Sequence, residues 1–261
     1  MRIKTIIFVI LSVVVVLLGD LIQRTLLPLV LKCLPRKEED ILGVWSRWLS
    51  ASFIGLARVT GVGDFDVKPT IPSDPGVLIL MNHQSLLDIP LVVLCTKDGC
   101  PLIVTRESYA SGIPLISGIV RLLKCPTVKR SKTDFDKLHK AAMTAKSIVL
   151  YPEGARSRNG ELLPFQQGAL RVFLEVGNRK VYLLVTDGIW RCSTFYHITS
   201  LKERLDCKTK ILGPFDTPEN MEDVDGWIEE MEGRMKEGLA SLRGEEDYEP
   251  EVPLTLFGEM P

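Results

Sequence analysis

Hydrophobic and polar positions divide this chain into three regimes. Thr5 to Gly19 is fifteen residues without a charge, rich in Ile, Val and Leu, and the apolar character resumes through Leu21-Ile22 and from Thr25 to Leu31. Fifteen helical residues rise about 22 Å, short of the ~30 Å hydrocarbon core of a bilayer. The run predicts either a tilted span from about Ile3 to Leu31 or a helix dipping into one leaflet. Gly19-Asp20-Leu21 would be a poor cleavage site for a signal peptide. Glu38 to Val59 follows with Ile41, Leu42, Trp45, Trp48, Leu49 and Ile54. That pattern suits a helix at the lipid headgroups or a core helix. From about Gly61, short β-rich runs alternate with helical stretches. Candidate strands are Val77–Leu80, Leu102–Val104, Thr127–Lys129, Ser147–Tyr151, Val181–Val185 and Lys210–Leu212. Candidate helices are Ile89–Lys97, Asp134–Lys146, Gln166–Val176 and about Met221–Leu242, with breaks at Asp98-Gly99 and Gly213-Pro214. The alternation predicts an α/β fold: a central mixed, largely parallel sheet flanked by helices, with an N-terminal membrane-associated helical segment. The expected organisation is a membrane anchor over 1–60, a globular domain over 61–243 and an acidic, unstructured tail over 244–261.

Charge adds a direction. The net charge is −1, so no global basic field points to nucleic acid. Pro101 to Arg158, however, holds eleven Lys or Arg against four acidic residues, and Gly244 to Pro261 holds six acidic residues and no basic one. The basic stretch suggests an anionic substrate or membrane surface, although a solvated helical face accounts for any single lysine. Six cysteines, at 33, 95, 100, 125, 192 and 207, show no C-x-x-C pairing and no histidine at metal spacing. They read as free thiols in a reducing compartment, with no structural zinc.

Candidate chemistry concentrates at two strand ends. Asn82-His83-Gln84-Ser85-Leu86-Leu87-Asp88 follows the apolar run 76–81, and the chain has only three histidines. Residues five apart do not share a helical face, so His83 meets Asp88 only if the histidine lies in the loop and the carboxylate at the helix start. Pro90 fits a first turn. A histidine fixed by a carboxylate is the usual base for taking a proton from a hydroxyl. Capping explains the same residues without chemistry, since Ser85-x-x-Asp88 resembles a capping box. Ser85 as a nucleophile is disfavoured, because no G-x-S-x-G elbow is present. The second strand end is Pro152-Glu153-Gly154-Ala155-Arg156-Ser157-Arg158. There Gly154 permits a tight turn and Arg156 offers a bidentate fork for phosphate.

Together these runs resemble the glycerolipid acyltransferase family that includes 1-acyl-sn-glycerol-3-phosphate acyltransferases. His83 and Asp88 match its first motif, with Asn82 and Ser85 in their usual places. Tyr151 to Ser157 matches the third, with Ala155 where threonine is more common. Gly112 to Gly118 and then Thr127-Val-Lys-Arg130 resemble the second, and Arg106 stands upstream at a looser spacing. One departure concerns the fourth motif: the strand Val181 to Asp187 lacks the expected prolines, and Gly188 to His197 is unlike the family.

The resemblance implies acyl transfer from a thioester, acyl-CoA or acyl-carrier protein, to a hydroxyl of a lysophosphatidic acid-like acceptor, with no other cofactor and no metal. His83 is then the base and Asp88 orients it, while backbone N–H groups at the helix start stabilise the oxyanion. Arg156 and Arg130 hold the acceptor phosphate, and Glu153 orients the acceptor or arranges Arg156. Partners are membrane lipids and the thioester donor, not nucleic acid. The catalytic domain is expected on the cytoplasmic side of a membrane, although basic residues flank the first segment on both sides and the positive-inside rule does not orient it. Two alternatives stay open: another lysophospholipid or an acylated amino acid as acceptor, or a non-catalytic lipid-binding protein of the same fold.

Overall fold

The structure is a computed structural model and describes residues 2–68, 70–128, 135–144, 147–177 and 179–244. In chain order the elements begin with α1 (Arg2–Cys33), α2 (Glu38–Val59), β1 (Gly63–Phe65), β2 (Val77–Met81) and α3 (Asp88–Cys95). Next come β3 (Leu102–Ile103), β4 (Thr105–Arg106), α4 (Ile116–Leu122), β5 (Thr127–Val128), α5 (Phe135–Thr144) and β6 (Ser147–Leu150). The chain continues through α6 (Gln167–Glu175), β7 (Lys180–Asp187), α7 (Phe195–Thr199), β8 (Leu205–Asp216) and α8 (Val224–Arg243).

Six strands form one sheet in the order β1-β8-β7-β2-β6-β3. β2, β3, β6 and β7 run parallel, β8 is antiparallel to β7, and β1 runs parallel to β8. The sheet is therefore mixed and largely parallel. All five residues of β2 are buried, because helices cover both faces of the sheet. Ile79 and Met81 point to one side, where Ile54, Leu91, Val92 and Cys95 from α2 and α3 meet them. Leu78 and Leu80 point to the other, against Leu138 of α5, Leu170 and Phe173 of α6, and the α8 stripe Val224, Ile228, Met231, Met235 and Leu239. That stripe repeats at helical spacing, and Gly244 ends the helix in the left-handed conformation (φ 77°).

Phe8 of α1 and Ala57 of α2 belong to the first of these cores. Helix α1 buries Thr5, Phe8, Ser12, Gln23 and Leu27 along one stripe, while Ile6, Ile10, Leu17, Leu21 and Leu29 are exposed. Where the sequence suggests a break at Gly213-Pro214, β8 instead runs on. Pro214, with no N–H to give, sits beside a register shift opposite Val181 and Leu183 of β7. β1 reaches only Leu205–Cys207 of β8, so among the described residues the far half of β8 pairs with a strand on one side only. Residues 129, 134, 145 and 146, which belong to predicted elements, and 245–261 of the predicted tail lie outside the described residues.

Candidate active site

The adjacent parallel strands β7, β2 and β6 end at one edge of the sheet, and their continuations converge there. Carboxyl ends of parallel strands are where α/β folds collect binding groups. Asn82, just past β2, is buried and reaches across to β7. Its Oδ1 accepts from the Thr186 N–H at 2.8 Å and its Nδ2 donates to the Thr186 carbonyl at 2.8 Å. The side chain thus continues the ladder one rung beyond the strand, and both its polar ends are engaged within the chain.

His83 is held at both backbone groups by the turn after β6. Its N–H donates to Glu153 Oε1 at 2.6 Å, and its carbonyl accepts from the Ser157 N–H at 2.7 Å. The imidazole stacks on the Tyr151 ring, centroids 4.2 Å apart at 30°. Its Nδ1 lies 2.8 Å from Asp88 Oδ2. The Asp88 side chain is fully buried, whereas that of His83 keeps 17% of its exposure. With Nδ1 facing a carboxylate, the remaining ring nitrogen, Nε2, is the one left to take a proton.

Asp88 opens helix α3, as the spacing argument requires. Its Oδ2 also accepts from the N–H groups of Gln84 (2.7 Å) and Ser85 (2.8 Å). The Ser85-x-x-Asp88 run is not a capping box here, because Leu87 stands at the N-cap of α3 with no side-chain cap bond and the Asp88 carboxylate instead ties down the turn before the helix. Ser85 is buried. Its hydroxyl donates to the Cys192 carbonyl at 2.8 Å and accepts from the Leu87 N–H at 3.2 Å. These bonds narrow one expectation: the N–H groups of Gln84, Ser85 and Leu87 are already committed within the chain and are not on offer to an oxyanion.

The Glu153 carboxylate bonds two backbone N–H groups, those of His83 and Leu163 (2.8 Å), rather than the Arg156 guanidinium. Burial pushes it up from 4.5 to about 7, against the lowering effect of those two bonds and with a further push from Asp88. Gly154 adopts φ +65°, and a Cβ there would meet Gln166 Cγ at 3.2 Å. Its carbonyl accepts from Arg106 Nη2 at 2.9 Å. Arg106 thereby enters the site, placed by the pairing of β4 with β5. Arg156 is half-buried and donates through Nη1 to the Ser193 carbonyl, tying this turn to the segment that follows β7. Arg130 lies outside the described residues.

Three further residues surround the histidine turn. Gln84 Nε2 donates to Asp187 Oδ1 at 3.0 Å, and Asp187 pairs with Arg243 at the end of α8 (Nε to Oδ2, 3.2 Å). Burial works against the Arg243 charge, but Asp187 and Glu161 more than offset it and keep the guanidinium protonated. Nothing in the sequence marks these contacts beyond the position of Asp187 at a strand end. They span 56 to 103 positions along the chain.

The sequence model of the family described as Acyltransferase matches residues 64–186, which include His83, Asp88, Glu153 and Arg156. The 1-acyl-sn-glycerol-3-phosphate acyltransferase alpha of Mus musculus is 25% identical over 182 residues, 65% of this chain and 59% of its own length. The 1-acyl-sn-glycerol-3-phosphate acyltransferase of Cocos nucifera is 26% identical over 195 residues, 71% of this chain and 58% of its own. The chain thus spans less than two thirds of the length of these curated relatives. The crystal structure of the 1-acyl-sn-glycerophosphate (LPA) acyltransferase PlsC from Thermotoga maritima superposes with a TM-score of 0.61 at 18% identity, covering 90% of this chain and 98% of that one. At that identity the likeness concerns the fold.

Proposed function

We propose that this chain, which belongs to the acyltransferase family, moves a fatty acyl group from a thioester to a hydroxyl of a lysophosphatidic acid-like glycerolipid. The observation that carries the reading is the His83–Asp88 pair, 2.8 Å apart at the carboxyl edge of the parallel strands. His83 Nε2 takes the acceptor's hydroxyl proton as the oxygen attacks the thioester carbonyl, and buried Asp88 stabilises the imidazolium that forms. Collapse of the tetrahedral intermediate breaks the C–S bond, and the imidazolium returns the proton to the leaving thiolate. The products are an ester and a free thiol, with no acyl-enzyme. The reading calls for no metal or resident cofactor. Its donor is acyl-CoA or acyl-carrier protein.

Acceptor choice falls to the arginines. Arg156 commits one N–H to Ser193 and keeps the rest of its planar fork for a phosphate. Arg106, anchored on Gly154 beside it, adds a second positive charge, and Arg130 is the third candidate. The relatives named above act, by their names, on 1-acyl-sn-glycerol-3-phosphate, which carries such a phosphate.

Helix α1 supports a membrane setting. It is long and apolar enough to cross a bilayer, by length and composition. Yet the globular part flanks it from Thr5 to Leu27, so crossing upright would carry α2 and α7 into hydrocarbon. We place the exposed face of α1 in one leaflet, with the site opening beside it on the cytoplasmic side.

The test is thioester consumption by membrane fractions offered lysophosphatidic acid, lysophosphatidylcholine, monoacylglycerol and an N-acyl amino acid. Lysophosphatidic acid should be acylated best, and His83→Ala should abolish transfer. Arg156→Ala should cost most on phosphate-bearing acceptors. Activity that survives His83→Ala would remove the catalytic assignment, and an equal loss on all acceptors would remove the phosphate clamp.

A further inference from the structure

The turn that carries His83 is stitched to the last helix of the chain. Gln84, its neighbour, is buried, and its side chain makes three bonds. Nε2 donates to Asp187 Oδ1 (3.0 Å) and to the Gly160 carbonyl (3.4 Å), while Oε1 accepts from the Ile189 N–H (3.3 Å). Two of these partners converge on one guanidinium. Arg243 Nε and Nη2 address the two oxygens of Asp187 at 3.2 and 3.3 Å, and Nη2 also donates to the Gly160 carbonyl at 2.8 Å. Nη1 is held by Glu161 at 2.9 Å. On the other side of the turn, the Gly160 N–H donates to Ser157 Oγ at 3.1 Å, and the Ser157 N–H donates to the His83 carbonyl at 2.7 Å. The Gln84 backbone N–H is meanwhile one of the two backbone donors that aim Asp88 Oδ2 at the imidazole.

Arg243 therefore grips both supports of the histidine, the Gln84 side and the Gly160–Ser157 side. The pair is largely shielded, with 19% and 18% side-chain exposure for Arg243 and Asp187. At such exposure an ion pair is poorly screened, and loss of one partner leaves the other charge without compensation. Released from Arg243, Asp187 has reason to turn toward water and free Gln84. Gln84 then no longer fixes the backbone N–H that orients Asp88.

We propose that Asp187 and Arg243 are positioning residues of this enzyme, acting through Gln84 to hold the His83–Asp88 pair in register. Both lie outside the family match, which ends at residue 186. Asp187 closes β7, next to the strand end that carries the histidine turn. The inference rests on the acyl-transfer reading for its kinetic consequence and on the imidazole alone for its structural one.

The experiment uses the full chain purified in detergent, with palmitoyl-CoA and 1-oleoyl-lysophosphatidic acid, and compares wild type with Arg243→Gln, Arg243→Lys, Asp187→Asn, Gln84→Ala and the Arg243→Gln/Gln84→Ala double variant. Misplacing a catalytic group by an ångström costs up to about a hundredfold, so Arg243→Gln and Asp187→Asn should lower kcat by about ten- to a hundredfold. KM for either substrate should stay within about twofold, as expected when binding is untouched. Arg243→Lys, which keeps the charge and loses the fork, should recover part of the rate. The double variant should be no worse than the poorer single one.

Imidazole 15N spectra of the three histidines supply a readout that needs no turnover. His83 should hold its proton on Nδ1 in the wild type and show mixed tautomers in Arg243→Gln. A kcat per folded molecule equal to wild type, a loss expressed in KM alone, or multiplicative effects in the double variant would overturn the latch. If the wild type itself acylates nothing, the function reading fails, and an unchanged His83 tautomer in Arg243→Gln would then sink the latch separately.

Discussion

Asp88 serves two masters with one oxygen, and substitutions at this position should separate them. Oδ2 receives the His83 Nδ1 proton and the N–H groups of Gln84 and Ser85. Asp88→Asn keeps an oxygen for all three donors and removes the charge that stabilises an imidazolium, at the cost of an amide NH2 in place of the buried, unpartnered Oδ1. We expect a properly folded protein whose kcat falls by about a hundredfold or more. Asp88→Ala also orphans two buried N–H donors, at about 1–3 kcal/mol each, and should lower the melting temperature as well. Equal thermal losses in the two variants would contradict this division. Glu153 gives a pH prediction with a definite sign. Burial raises its folded pKa to about 7 from 4.5, so between those values the native state binds more protons than the unfolded chain. Stability should fall as pH climbs from about 4.5 to about 7, by about 3 kcal/mol in total. Activity should rise over the same window, because only the ionised carboxylate accepts from both His83 and Leu163. Glu153→Gln has no proton to lose. Its melting temperature should lose the part of the pH slope that wild type shows there, and a slope equal to wild type would mean that another group titrates. The pairing of His83 with Asp88 was legible in the sequence because the motif is local. The true partners of Glu153 were not, because they are backbone groups that only the folded turn brings within reach.

At the level of elements, sequence reading succeeded where burial imposes a pattern and failed where pairing alone creates the element. The helix Glu38–Val59 and the strands β2, β6 and β7 stand out as apolar runs at fixed spacing. β1 is Gly-Asp-Phe, three residues that are a strand only because β8 lies beside them. β8 was visible as Lys210–Leu212, yet it runs from Leu205 to Asp216, since β1 and β7 recruit its polar ends. The docking of α1 was hidden for the same reason. Asp20 and Arg24 do pair on one face (2.7 Å), as their spacing suggests. The consequential contacts reach across the fold instead. Asp20 Oδ1 accepts from the Leu115 N–H at 2.7 Å, and Gln23 Nε2 donates to the Leu115 carbonyl at 2.9 Å. Leu115 sits at φ 65°, ψ −54°, a conformation that costs a non-glycine residue and persists only when held. Two side chains of an apolar helix hold it, and Gly118 makes room for one of them. A Cβ at 118 would lie 1.8 Å from Gln23 Nε2. Gly118→Ala and Gln23→Ala should therefore each destabilise by about 1–3 kcal/mol, and the double variant by little more than the worse single one. Hydrogen exchange should rise at Ile113, Leu115 and Ser117 in all three, and additive losses would show that the glycine matters for another reason.

For the whole molecule, the acyl-transfer reading proposed above makes the orientation of α1 decide how a water-soluble thioester and a lipid acceptor would meet at His83. Its 32 residues extend about 48 Å, more than a hydrocarbon core, so length permits a span. Packing argues the other way. The buried stripe runs from Thr5 to Leu27, with Phe8 joining the core beneath the sheet, and the exposed apolar residues form the complementary face over the same length. A helix packed on the fold along one side and apolar and exposed along the other suits the one-leaflet placement proposed above. Trp48, half-exposed and stacked on Trp45 at 5.3 Å, suits that placement too. The two arrangements differ in where the ends of α1 emerge. Cys33 is exposed at one end, and Ile3, 75% exposed, marks the other. The remaining cysteines are poor targets for a thiol reagent. Burial raises the Cys95 and Cys100 thiols to about 11 and those of Cys125 and Cys192 to about 12, and pushes Cys207 up as well. Ile3→Cys protein inserted into sealed vesicles from outside should then label quickly at residues 3 and 33 with a membrane-impermeant maleimide. Labelling of one end only, with the other reacting after the vesicles are opened, would make α1 a true span. In that case the globular domain must part from half of the helix it packs against here.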